Sequence, residues 1–200
     1  MSYIDKEKRV EYGLENVHVA IQTVGPEMTV TNGKPEAVLG ATHLVLNPVG
    51  EKSEVYADNC VWYDEEANQG FDGELELSRL TDEFRIKYLG EVKTKDGTIY
   101  EVENPDKPQL LLMFEIKNDK GGNRYLVHGV KFGRPTIETK TNEKGKSYKV
   151  TKLPFRAIPV KIASGARVTK GVVCANETIY SNLFTTPYVM PTDLTQSLPA

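Results

Sequence analysis

The sequence predicts a mainly β protein: a sandwich or barrel of about eight strands with one flanking α-helix and extended N- and C-terminal arms. Three observations predict it. Short segments alternate apolar and polar residues with a period of two, Gly-, Asn- and Pro-rich turn signals separate them, and only one stretch changes to the helical period.

Leu14 to Val24 sets Val17, Val19 and Ile21 on one face and Asn16, His18 and Gln22 on the other, as a half-buried strand does. Ala41 to Leu46 is a short apolar run stopped by Asn47-Pro48. Residues 48–69 show no clean period and read as a long loop, which in a compact domain is usually functional or disordered. Val55, Tyr56, Val61, Trp62 and Tyr63 argue that something buries part of it. Phe71 to Arg79 alternates again. A helix follows at about residues 81–89: Thr81 is an N-cap, Asp82 and Glu83 sit at the positive end of the dipole, Phe84, Tyr88 and Leu89 share a face, and Gly90 is a C-terminal stop. Thr98 to Glu103, Gln109 to Lys117 and Arg124 to Arg134 read as strands, the last two joined by the turn sequence NDKGGN. Thr136 to Thr141 and Ser147 to Phe155 flank NEKGK as a second hairpin, and Ile158 to Ile162 is a further strand. From Glu177 onward the tail has three prolines, no Lys or Arg, and apolar side chains from Ile179 to Met190. It is too apolar for a solvated linker and too Pro-broken for a central strand, so it reads as an arm lying on another surface. The expected division is an N-terminal arm at 1–12, a β domain at 13–165 and a C-terminal arm at 166–200.

Charge is segregated along the chain. Residues 1–116 carry 23 acids and 11 Lys and Arg, net −12; residues 117–170 carry 3 acids and 14 Lys and Arg, net +11. Such a split favours either folding back or head-to-tail pairing of copies. The basic stretch lacks the interleaved aromatics of a single-strand binder. The longest apolar run, Leu110 to Phe114, is far short of the roughly 20 residues that cross a bilayer, and MSYIDKEKRVEYG is too charged for a signal peptide. Cys60 and Cys174 give neither a disulfide framework nor a metal knuckle and read as buried or semi-buried thiols.

The stretch WYDEEANQGFDGELE, residues 62–76, holds six carboxylates and no base. As an EF-hand starting at Asp64 it fails, because Gln69 stands where glycine is required and Leu75 where the bidentate glutamate is required. A glycosidase pair would need a buried carboxyl. Asp72, Glu74 and Glu76 instead alternate with Phe71, Leu75 and Leu77, on the solvated face of a strand. His18, His43 and His128 have no metal-ligand spacing, and no nucleophile or phosphate motif occurs. The residues nominate no catalytic group, no metal and no cofactor, so an enzyme is not expected.

GLENVHVA at 13–20, LVLNPVG at 44–50, YADN at 56–59 and NQGFDGELELSRLTDEFRIKYLGE at 68–91, continued by LLLMFE at 110–115 and GVKFGRPTIE at 129–138, occur in an order that resembles the major tail proteins of long-tailed bacteriophages of Gram-positive bacteria. The resemblance covers roughly residues 10–165. It implies a β-sandwich with one helix that closes into homohexameric rings, stacked into the tail tube through which genomic DNA passes without sequence-specific binding. It also implies partners in the tape measure protein, tail terminator and distal tail protein, with assembly in the host cytoplasm and residence in the virion, and no membrane. Loop 48–69 is similar to the family's inter-ring loop, so the resemblance implies inter-subunit roles for Tyr56, Trp62 and Tyr63; Phe184 and Tyr188, beyond the span it covers, are expected at an inter-subunit contact because the apolar arm reads as lying on another surface. Asp72, Glu74 and Glu76 would face the lumen as an acidic wall that repels phosphate. The alternative reading is a carbohydrate- or surface-binding β-sandwich module, with Trp62, Tyr63 and Phe71 as the sugar platform.

Overall fold

A computed structural model describes residues 12–117, 122–136 and 150–194. In chain order the strands are β1 (Leu14–Val24), β2 (Val30–Asn32), β3 (Glu36–Ala37), β4 (Ala41–Val49), β5 (Lys52–Ala57), β6 (Cys60–Glu66) and β7 (Gly70–Leu77). Helix α1 (Asp82–Leu89) follows, and then come β8 (Val92–Lys93), β9 (Ile99–Tyr100), β10 (Gln109–Ile116), β11 (Arg124–Phe132), β12 (Thr151–Ala157), β13 (Val160–Lys161), β14 (Arg167–Val168) and β15 (Lys170–Val173). The chain is mainly β, with one large antiparallel sheet in the order β2-β1-β10-β11-β12-β7-β4; β3 adds to β1 and β15 to β11.

The helix forms where its caps predict. The Thr81 hydroxyl accepts from the Phe84 N–H at 3.2 Å, and Gly90 closes the helix in the left-handed region at φ 71°. Phe84, Tyr88 and Leu89 face inward, and the Phe84 ring packs 5.5 Å from that of Phe132. Tyr88 Oη donates to Glu36 Oε2 at 2.6 Å, so the helix ties β11 to β3.

The central strand β10 explains the apolar run. Leu110, Leu112 and Phe114 join the main core with Val17, Val19, Leu75, Leu77, Val127, Val130, Leu153 and Phe155. Leu111 and Met113 point the other way and form a second core with Ala20, Leu126, Val173 and Leu183. A strand covered on both faces needs no polar side, which is why its sequence does not alternate.

Strand β11 changes partner part-way along one edge. Arg124 to Val127 pair with β15, and Val130 to Phe132 pair with β12. Gly129, at φ 69°, sits at the switch, where an added Cβ would lie 2.0 Å from the Ile158 carbonyl oxygen. Only glycine fits that combination of backbone angle and contact.

Four expectations differ from the structure. The segment 48–69 is not a structureless loop: β5 and β6 form a hairpin, with Asp58 and Asn59 both at positive φ in the turn. Every hairpin side chain whose burial is described, from Lys52 to Glu65, is exposed, so the sequence carries no burial period. Both cysteines are exposed rather than buried, Cys60 beside the hairpin turn and Cys174 just after β15. Beyond residue 165 the chain supplies β14, paired to β13, and β15, paired to β11, before the arm begins. Thr98 to Glu103 shortens to the two residues of β9. Most of the expected Thr136–Phe155 hairpin lies outside the described residues, although Thr136 does bridge to Lys152.

Candidate functional site: the projecting hairpin and the charged sheet face

Strands β4 and β7 pair from Ala41↔Leu77 to Val49↔Gly70. The ladder does not stop there. Gln69 N–H donates to the Val49 carbonyl at 2.9 Å and Ala67 N–H to the Glu51 carbonyl at 3.0 Å, carrying the pairing into β5 and β6. One continuous two-stranded ribbon therefore runs from the sheet out to the Asp58-Asn59 turn, and its free part extends roughly 20 Å at about 3.3 Å per residue. A register shift next to Val55 and Tyr56 leaves Trp62 as the extra residue of a β-bulge.

The ribbon's outer half carries large apolar side chains in solvent: Trp62 is 71% exposed, Tyr56 66% and Tyr63 53%, with Val61 beside them. Carboxylates surround them. Tyr56 Oη donates to Glu54 at 2.5 Å and Tyr63 Oη to Glu65 at 3.3 Å. The Glu54 contact and slight burial raise the Tyr56 hydroxyl's pKa above its ordinary value, so that hydroxyl stays a donor. Phe71, the third ring of the expected sugar platform, is not on this surface; it packs against the main core. The structure thus brings Trp62 and Tyr63 together and leaves Phe71 apart.

Asp72, Glu74 and Glu76 lie on the face of β7 away from the core, as their alternation predicts. Their environment differs from the expected acidic wall. Strand β12 pairs in register with Lys152 opposite Glu76 and Arg156 opposite Asp72. Lys152 Nζ stands 3.1 Å from Glu74 Oε1 and 3.0 Å from Glu76 Oε1, and Arg156 Nη1 donates to Asp72 Oδ1 at 2.8 Å. The two carboxylates hold the Lys152 ammonium above its ordinary pKa. Three acids face two bases, so the face is nearly balanced and repulsion of phosphate is weaker than the bare strand implies.

Phe184 and Tyr188 belong to an arm that lies on the chain's own sheet. Phe184 stacks on His18 with ring centroids 4.4 Å apart, and the Arg124 guanidinium sits 3.9 Å from the Tyr180 ring centre and 4.2 Å from that of Phe184. Arg124 also bonds to Glu115 and to the Tyr180 carbonyl. Leu183 is buried against Leu111, Met113 and Leu126. The apolar surface expected to meet another subunit is used within the chain, because β10 and β11 leave an apolar outer face that the arm must cover. The sequence signal missed was that both faces of Leu110–Phe114 are apolar: one core cannot cover two faces.

Beneath the arm lies a buried polar chain. The Gln22 side-chain carbonyl accepts from Gly129 N–H at 2.8 Å; its amide donates to Asn32 Oδ1 at 2.8 Å and contacts His128 Nδ1 at 3.2 Å. Asn32 in turn donates to the Tyr188 carbonyl at 2.7 Å. Burial pushes the His128 imidazole down to about 4. Among the described residues no cluster of three His, Cys, Asp or Glu is arranged to hold a metal, and no helix is long and apolar enough to cross a membrane.

No protein-family model matches the chain, and no curated protein matches it. Among solved structures it is similar to the anti-feeding prophage cap, the AFP tube-terminating cap, at 13% identity over 88% of this chain and all of that one, with a TM-score of 0.47. The sheath-tube complex of the extracellular contractile injection system PVC in its extended state is similar at 9% identity, 86% and 95% coverage and TM-score 0.47. The sheath/tube terminator of the same system gives 11%, 82% and 99%, and 0.46. None of the three assigns the chain to a family.

Proposed function

We propose that this chain is a structural, self-assembling subunit of a phage-type tail tube, building homohexameric rings that stack into a conduit for DNA. The observation that carries the reading is the β5–β6 hairpin. Tyr56, Val61, Trp62 and Tyr63 stand in solvent on a ribbon continuous with the main sheet. An apolar cluster held out on a stiff extension gains free energy only when another surface buries it, and hydrogen bonding into the sheet lowers the entropy lost on docking. In this reading the hairpin is the contact between rings and Asp72, Glu74 and Glu76 face the channel. Lys152 and Arg156 keep that wall close to neutral rather than strongly repelling. The tape measure protein, tail terminator and distal tail protein are the partners such a subunit would meet, in a virion assembled in a bacterial cytoplasm.

The test is electron microscopy of the purified protein at rising concentration. Rings or tubes are expected, and Trp62→Ala with Tyr63→Ala should abolish tubes while leaving a folded chain. Dispersed small particles at every concentration, or symmetric dimers as the sole assembly, would overturn the reading.

A further inference from the structure

The hairpin leaves β7 at Gly70. At the other end of that strand, past Leu77, a groove opens that is lined by Ser78, Arg79, Leu80, Arg85, Pro135 and Thr136. Arg79 is exposed and makes no ion pair among the described residues. Arg85 is held with Nε 3.5 Å from Oε2 of buried Glu91 and stays partly exposed. Leu80 and Pro135 add half-buried apolar surface to the same groove.

The hairpin carries the complementary set. Residues 51–66 contain six carboxylates and one lysine, and the exposed Val61, Trp62 and Tyr63 stand among them. Tip and groove lie at opposite ends of β7, a strand of about 26 Å at roughly 3.3 Å per residue, and the ribbon runs away from the groove. They cannot meet within one molecule.

We infer that the Arg79–Arg85 groove is the seat for the hairpin tip of a second copy of this chain, joined head to tail along the direction of β7. The inference rests on the tube reading above and supplies its missing half, the receptor. Guanidinium groups suit both parts of the tip: they pair with the carboxylates and stack on the indole of Trp62. A contact between two different surfaces does not close as a twofold dimer does, and with copies displaced along β7 rather than rotated back to the first it propagates.

A disulfide trap tests it. Ser78→Cys with Cys174→Ser sets a thiol in the groove and leaves the native Cys60, exposed near the hairpin turn, as its partner. Mild oxidation of concentrated protein should give a ladder of covalent multimers, with residues 60 and 78 linked in the peptide map, and Cys60→Ser should abolish it. Arg79→Glu, a change at an exposed side chain, should raise the concentration needed for tubes at least tenfold. Tubes that form with no 60–78 link and are indifferent to Arg79→Glu would overturn the groove and spare the tube reading. A 60–78 ladder without tubes would sustain the groove and sink the tube reading. Links between residue 60 and residue 60 alone count against the groove.

Discussion

Gln22 on β1 accepts, through its side-chain carbonyl, the main-chain N–H of Gly129 on β11, 107 residues away, at 2.8 Å. That donor sits where β11 leaves β15 for β12, so no neighbouring strand satisfies it and a side chain must. The same amide reaches Asn32, which holds the arm at the Tyr188 carbonyl. One residue thus joins the strand switch to the C-terminal arm.

Gln22→Leu should destabilise the fold by about 1–3 kcal/mol, because it strands the buried Gly129 N–H and the side chain of Asn32. Urea unfolding measures this. A change below about 0.5 kcal/mol would mean that water or a local shift replaces the bond.

Gly129→Ala and Gly70→Ala place a Cβ 2.0 Å and 1.9 Å from the carbonyl oxygens of Ile158 and Ala157. Both should cost about 3 kcal/mol or more. Gly97 also has positive φ but nothing within 4 Å of an added Cβ, so Gly97→Ala should cost only about 1–2 kcal/mol of backbone strain. Thermal unfolding of the three variants side by side checks the order.

Arg124→Ala removes the cation held between Tyr180 and Phe184. The arm should loosen while the main core stays closed. Hydrogen exchange should rise across 174–194 and remain slow in β10, whereas equal acceleration in both would show that the arm and the sheet unfold as one body.

Burial depresses the His128 imidazole from its ordinary value near 6.5 to about 4. Nδ1 faces the Gln22 amide, a donor whose orientation is fixed because its carbonyl serves Gly129. Protonation would set donor against donor. The unfolded chain takes up this proton as pH falls through 6.5 and the folded chain resists until about 4, so stability is full above 6.5 and declines across that window by on the order of 3 kcal/mol. His128→Gln should flatten the difference between pH 7 and pH 5 in chemical denaturation. A variant that keeps the wild-type slope would assign it to carboxylates instead.

Much of this architecture is written locally. The Thr81 cap, the Gly90 stop and the spacing of Phe84, Tyr88 and Leu89 define α1 because each acts within a turn or two of itself. The alternation of Asp72, Glu74 and Glu76 with Leu75 and Leu77 sets their faces, because a strand turns its side chains over every residue. The tertiary structure decided what those residues meet. Lys152 and Arg156 neutralise the acidic strand from 78 and 84 positions away, a matter of strand order and register that no local pattern encodes. It also decided that 48–69 is a hairpin, since backbone pairing can hold a ribbon whose described side chains from Lys52 to Glu65 are exposed and so leave no burial period to read. The arm's destination depended on the second apolar face of β10, which exists as a surface only once the sheet has formed.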